Sequence, residues 1–596
     1  MNYKNIKKKL SAFAAIAVAS MVVFAGCSGK SSTSASSDSE STSEESTNTS
    51  GVDVEGSTID TSDQFTDRDL DWSYEESEAV TITLADGASE ASDSSVVIDG
   101  DTITISEEGV YVISGSLSNG QIQINNEAED AKIQLVLNGV EIINESSACI
   151  YVKAADKVFV TTAEGTENTL TVSGEYVNID ENNIDGVIFS KDDLVLNGNG
   201  VLNIEGSTGH GVVSKDDLKV TGGTLNINSS DHGLAGKDSV RITGATISIT
   251  TNEDGIHSSN DDDEDTTAGY IYVADGTITI NAGDDGMHAD LETRIDGGEI
   301  TVEKAYEGLE GQIVTVVGGT ISITSEDDGI NAGGGADSSG ATSGFGGGRD
   351  MFSASNSDCK IYIYGGALKV NASGDGLDSN GDLYIYGGEV TVEGPENSGN
   401  AAIDKGDQGT AVISGGTVVA SGMSGMAEAF SEESTQVSIL LNLSETVTGD
   451  IEVLDSEGNS ILTSSTSKSF NSLIVSSPEL TEGETYTIVT GDTETEVTVD
   501  SVSVTEGEAA MSEGMGGFGG MGGNMQGGRG QFNQDGSSDG EMTMPQDGGM
   551  TPPSGENMEP PSGSSEQSAN DSDSEEQSED SSTNNSEQSS DGTTTL

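Results

Sequence analysis

The chain has 596 residues, and 22 Lys+Arg stand against 104 Asp+Glu for a net charge of -82. So strong a negative field repels phosphate backbones, which argues against nucleic acid as a partner and favours divalent cations. Hydrophobic residues make up 32% and aromatics 4%, with 80 Gly, which is too little bulk for a large spherical core. It suits a repetitive β architecture built on a thin file of Val, Ile and Leu.

Residues 1–27 read as an export signal. Lys4, Lys7, Lys8 and Lys9 form a positive start, and residues 10–25 an apolar stretch too short to span a membrane comfortably. The stretch ends Phe24-Ala25-Gly26-Cys27, which resembles a bacterial lipobox, so Cys27 is the expected site of acylation. The expectation is a monomer on the extracellular face of the bacterial cell membrane, touching the membrane through its lipid anchor only. Residues 28–78 are rich in Ser, Thr, Glu and Asp and are expected to form a disordered tether, with Trp72 near its end.

From residue 79 to about 430 the texture is short β-runs broken by Gly, Asp and Asn. The pattern [D/H/E]-G-[apolar] places glycines at Gly186, Gly211, Gly233, Gly255, Gly286, Gly308, Gly329 and Gly376, with steps of 25, 22, 22, 31, 22, 21 and 47. The two long steps contain the insertions 259–268 and 333–358, leaving a basic repeat of 22 residues. Each repeat runs on into a second turn, as in VTGGTLNI, IDGGEITV and IYGGEVTV. Alternating strands at this period, without a helical pattern, predict an all-β fold, a parallel β-helix solenoid. Successive turns would stack at about 4.8 Å, so that like positions form columns. Glycines would hold the corners through positive φ or close backbone approach. Residues 434–505 (SILLNL, DIEVLD, TYTIVT) predict a small separate β unit, and residues 506–596 a Gly/Met-rich and acidic disordered tail.

Stacking turns the corner motif into a surface. Before the glycines come Asp185, His210, His232, Asp254, Asp285, Glu307, Asp328 and Asp375, preceded in some turns by Glu253, Asp284 and Asp327. Two residues after them lie His257, His288, Glu310, Asn331 and Asp378, so all 4 histidines fall beside one corner. Ca²⁺ takes six to eight oxygen ligands, and such a column can supply them. Calcium ligands are therefore expected among Asp254, Asp284, Asp285, Glu307, Glu310, Asp327, Asp328, Asp375 and Asp378. The competing reading is that Asp and His before Gly are turn residues pointing to solvent. The acidic insertion Asp261–Asp265 begins like an EF-hand loop but places Thr266 and Tyr272 where a glycine and a glutamate are required.

In KIYIYGG and DLYIYGG the aliphatic residues alternate inward, which points Tyr362, Tyr364, Tyr384 and Tyr386 outward, and Tyr272 shares their column. Such rings can stack on sugars, or they can simply form an aromatic ladder. Material for catalysis is thin. Lys215 with Lys237 and Arg241 with Arg294 stack as a possible base and anion clamp, or as relief of negative charge.

The segments VYVISGSLSNGQIQI, LVLNGVEI and CIYVKAADKVFVTTAEGTENTLT, the DGI/GGTI repeats, and KSFNSLIVSSPELTEGETYTIVTG resemble a family of bacterial, mainly clostridial, carbohydrate-binding proteins over residues 79–505. The resemblance implies a right-handed parallel β-helix similar to polysaccharide lyases, calcium, and non-catalytic binding of cellulose or acidic polysaccharide. A calcium-dependent polysaccharide lyase and a surface adhesin or stalk are the alternatives.

Overall fold

Successive repeats pair in register along the whole solenoid. In the computed structural model, which describes residues 54–128, 130–260, 266–333 and 356–509, Val212, Leu234, Ile256, Met287, Leu309, Ile330 and Leu377 are successive partners in parallel strands. All seven are fully buried. The export signal with Cys27, residues 261–265 and 334–355 of the two insertions, and residues 510–596 of the C-terminal tail lie outside the described residues.

Each turn contributes strands to three parallel faces. The first includes Gly186–Ser190, His210–Ser214, Leu234–Gly236 and Ile256–Ser258. The second includes Asp193–Gly198, Asp217–Val220, Ser239–Ile242 and Tyr270–Val273. The third includes Val201–Gly206, Thr224–Asn228, Ala245–Thr250 and Gly276–Asn281. This is a β-helix solenoid, right-handed in the sense parallel β crossovers take. Inward-pointing Val, Ile and Leu from the three faces merge into one continuous core.

The two glycine files work differently. Between the second and third faces, Gly298 and Gly319 sit at φ 96 and 90, a conformation glycine adopts without strain. At the acid-glycine corner the constraint is space. A Cβ on Gly233 would lie 2.6 Å from the Gly255 carbonyl oxygen, and one on Gly255 2.7 Å from that of Gly286. Gly186 departs from the expected frame, because it pairs with His210 and Ile188 pairs with Val212, one position out of step with the later glycines. The first step of 25 residues therefore included a one-residue offset, and Asp185 falls outside the column.

The C-terminal unit closes the open end of the third face. Strand Thr417–Gly422 pairs antiparallel with Ser460–Ser476, which pairs in turn with Ser438–Leu454. Ile439, Leu441, Leu473, Ile488 and Val497 give this unit its own core. Antiparallel closure covers a parallel edge that would otherwise be open to pairing by another chain.

Residues 54–78 are not a disordered tether. They run along the outside of the second face, from Tyr364, whose hydroxyl bonds the Glu55 carbonyl, to Gln134, which reaches the Trp72 carbonyl at 3.2 Å. Thr66 caps the short helix Asp67–Leu70 and fixes Asp69. The Asp69 carboxylate is fully buried, 3.2 Å from both Lys157 Nζ and Lys219 Nζ. Burial opposes its ionisation, but Lys219, the Thr66 cap and Lys157 outweigh that and hold it below the usual carboxylate range. Arg294 bonds Ser57 Oγ at 2.8 Å, and Glu292 accepts the Thr58 N–H at 2.7 Å. The ordering contacts lie far away in the chain, which is why composition alone hid them.

Removing one partner from a buried charge cluster leaves the others uncompensated. Asp69→Ala is expected to cost about 3 kcal/mol, read as a lowered denaturant midpoint with the solenoid still β by circular dichroism. An unchanged midpoint would show the strap to be energetically idle.

Candidate functional site

The corner before the first face is a ladder of side chains bonded to the next turn's backbone. His210 Nδ1 accepts the His232 N–H at 3.1 Å, and His232 Nδ1 accepts the Asp254 N–H at 3.2 Å. Asp254 Oδ1 accepts from Asp285 at 2.9 Å, and Asp285 Oδ1 from Glu307 at 3.1 Å. Asp328 and Asp375 continue the pattern toward Asp375 and Ala401. This bonding turns the side chains along the stack and buries them, contrary to solvent-facing turn residues. Asp254, Asp285, Glu307 and Asp328 are all 2% exposed or less.

A second column stands beside the first. His257 Nδ1 is 2.7 Å from Asp254 Oδ2, and Asn331 Nδ2 donates to Glu307 Oε2 at 2.8 Å. His288 Nδ1 bonds Glu310 Oε2, and Asp285 Oδ2, 3.4 Å away, is left buried without a donor. Asn331 Oδ1 is likewise buried without one. The four imidazoles stack with centroids 5.0, 4.0 and 5.2 Å apart.

Electrostatics divide the file. Burial opposes the charge on Asp254, but the His257 bond and the neighbouring imidazoles hold its pKa down at about 2. His288 is held well above its usual value, because the carboxylates of Asp285, Asp290 and Glu310 around it outweigh burial. Burial and neighbouring carboxylates push Asp285, Glu307 and Asp328 well up, and Asp375 to about 8. No lysine or arginine pairs with Asp254, Asp285, Glu307, Glu310, Asp328 or Asp375 among the described residues. Buried carboxylates without cationic partners require protons or a metal ion.

Five donor groups have ligand atoms within 4.8 Å of one another among the described residues: His210 with His232 and Glu253, His232 with Asp254 and His257, Asp254 with Asp284 and Asp285, Asp285 with His288 and Glu310, and Asp328 with Asp375 and Asp378. The donor set at Asp328, Asp375 and Asp378 is all oxygen and fits calcium. Glu307 and Asn331 lie close by in the stack, where the orphaned Asn331 oxygen adds a neutral donor of the same kind. Asp327 sits on the same corner, and Gly374 N–H bonds its carbonyl. Toward the N-terminus the donors become imidazole nitrogens, which the expected calcium set had omitted. The register of His257 and His288 was the signal for including them.

The tyrosines form a different surface from the expected open face. Ile361, Ile363, Leu383 and Ile385 do point inward. Tyr272, however, is fully buried, with Phe65 of the strap 6.2 Å from its ring, and Tyr362 is only 7% exposed beneath Gly56. The rings stack on each other, Tyr362 on Tyr384 at 5.3 Å and Tyr364 on Tyr386 at 4.8 Å, so ring faces are mostly turned to other rings. Tyr384 and the exposed Tyr386 end the ladder and remain open beyond it.

Metal removal has a predicted sign. Asp375 and its raised neighbours carry folded pKa values above their unfolded ones, so in metal-free protein they cost no stability below the unfolded value near 3.8 and cost progressively more as pH rises toward about 8. Thermal unfolding in EDTA should fall across that window, and added Ca²⁺ should flatten the fall. Asp328→Asn, which keeps the acceptor for Asp375 N–H, should raise the chelated midpoint and reduce the calcium response. A calcium response of the same size in the variant would remove Asp328 from the ligand set.

The family described as carbohydrate-binding domain-containing protein matches residues 99–351. A curated relative of that description from Acetivibrio thermocellus is 39% identical over 220 residues, covering 35% of this chain and 76% of its own length. Among solved structures, the polysaccharide lyase-like protein from C. thermocellum, as a gadolinium derivative, is 28% identical with a TM-score of 0.36, covering 44% of this chain and 98% of its own. By its likeness to the A. thermocellus relative, the chain belongs to the family of carbohydrate-binding domain-containing proteins.

Proposed function

We propose that this protein binds extracellular polysaccharide, cellulose or acidic glycan, without cleaving it, from a lipid anchor on the outer face of the bacterial cell membrane. The observation that carries the reading is its family, whose matched region begins in the first turns and runs up the solenoid. A solenoid suits a polymer ligand, because equivalent groups recur at each turn along one axis. Calcium held at the Asp328, Asp375 and Asp378 corner would neutralise that edge and let an anionic chain approach it. Tyr384 and Tyr386 supply the aromatic contact that the strap leaves open.

A second reading is a polysaccharide lyase acting on uronic-acid polymers, and one contact favours it. The Asp254 carboxylate holds His257 Nδ1 at 2.7 Å, which directs the Nε2 lone pair outward as a candidate proton acceptor.

Pull-down by cellulose and by polygalacturonate, with and without EDTA, tests the first reading. Tyr384→Ala/Tyr386→Ala should weaken retention by about 1–3 kcal/mol, the order of aromatic stacking. Retention equal to the unaltered protein would discard the aromatic contact. The same polygalacturonate mixtures, followed by the ultraviolet absorbance of unsaturated uronate, decide the lyase, which is discarded if none forms across several uronans. Cys27→Ala should shift the protein from the membrane fraction to the medium, and retention on membranes would refute the anchor.

A further inference from the structure

We propose that the groove on the outside of the first face is a second glycan-binding surface, a calcium-independent site for the carboxylates of an acidic polysaccharide. It rests on the polysaccharide-binding reading above, and extends it to a surface whose chemistry is opposite to that of the acidic corner.

The groove is built by register. Val213, Ala235 and His257 are successive partners and line its floor, and Tyr151 and Phe189 continue the same file but are covered. Along one side, backbone bonds from Lys191 to Val152, Lys215 to Ser190 and Lys237 to Ser214 place three lysines in file. Lys153 begins that file and is paired with Asp180 at 3.2 Å. Lys191, Lys215 and Lys237 form no ion pair with any described carboxylate. In a chain with 104 Asp+Glu this is an unusual vacancy of partners, and stacked like charges repel at about 4.8 Å. The aspartates that follow the lysines are engaged elsewhere. Asp192 accepts the Ala155 N–H at 3.0 Å, and Asp216 hydrogen-bonds Asp238.

The other side carries His210 and His232. Each Nδ1 already accepts a backbone N–H, so the neutral ring must carry its hydrogen on Nε2. Between the two sides lies a cavity of about 160 Å³, lined by these histidines, Lys215, Lys237 and Ser259, with no carboxylate in its lining. Glu253 stands near His232 Nε2, at 3.6 Å, with its side chain half exposed. Lys215 Nζ lies 5.6 Å from the centre of the buried Phe189 ring, where the covered part of the file meets the cavity. Ammonium groups and fixed N–H donors above an apolar floor match a carboxylate-bearing sugar, whose ring has one apolar face and whose acid group needs donors. Repetition of the lysines at each turn suits a polymer with an acid on each unit.

Isothermal titration of the full chain with polygalacturonate in EDTA tests this. The unaltered protein should bind, and methyl-esterified polygalacturonate, which lacks the charge, should not. Lys215→Gln/Lys237→Gln should weaken binding by about tenfold or more, and Lys215→Arg/Lys237→Arg should restore most of it. Lys304→Gln, whose ammonium pairs with Glu326 away from the groove, should change nothing. Unchanged thermal unfolding accompanies the expected result. Binding that needs calcium, or that ignores the Gln pair, overturns the groove while leaving the reading above intact. If no polysaccharide binds under any condition, both fail.

Discussion

The in-register parallel backbone ladder between successive turns is the constraint on which the rest of the structure depends. It sets each side chain about 4.8 Å from its counterpart in the next turn. For aliphatic residues this is favourable everywhere, and Val212 through Leu377 become one uninterrupted core file. For backbone corners it demands glycine, by positive φ at Gly298 and by the close approach of the next carbonyl at Gly233. For charged residues it is unfavourable, because identical charges are forced together.

The protein answers that repulsion in three different ways. On the second face, the strap inserts Asp69 between Lys157 and Lys219 and gives its carbonyls and hydroxyls to Arg294. On the corner, imidazoles bond the carboxylates of Asp254 and Glu310 and stand beside that of Asp285. Further along, at Asp328 and Asp375, no imidazole is present, and the ionised state is disfavoured unless a cation joins. Past Lys153, which Asp180 pairs, Lys191, Lys215 and Lys237 of the first face have no such answer within the described residues.

The repeat, its length and the inward aliphatic file were legible because each depends on local periodicity. So was the corner's concentration of carboxylates and histidines. Gly186 misled, since a motif match does not report register, and the structure pairs it with His210. The strap was illegible for a different reason. Its Ser, Thr and Asp composition resembles a linker, whereas Asp69 is held by lysines 88 and 150 positions away. Hiding the strap also hid the fate of Tyr272 and Tyr362, which point away from the core and are nonetheless covered. Burial of the acidic ladder could not be read either, because Asp before Gly is ordinarily a solvated turn residue, and only stacking supplies the N–H that draws it inward.

The same columns make the surface chemically graded along the solenoid axis. Its N-terminal turns present donors, Lys215, Lys237 and the Nε2–H groups of His210 and His232. Its C-terminal turns present oxygen acceptors, Asp328, Asp375 and Asp378, that demand a cation. On the proposed reading both ends would favour an anionic polymer, one by direct contact and the other through a metal ion, and only the second would respond to chelation. A single acidic chain laid along the axis could engage both without any change in the fold, because the ladder that stacks the turns also aligns the two surfaces. On the proposed reading that alignment would let a net negative protein hold a negatively charged ligand: the net charge is spread over the whole chain, while the ligand would meet only the columns that face it.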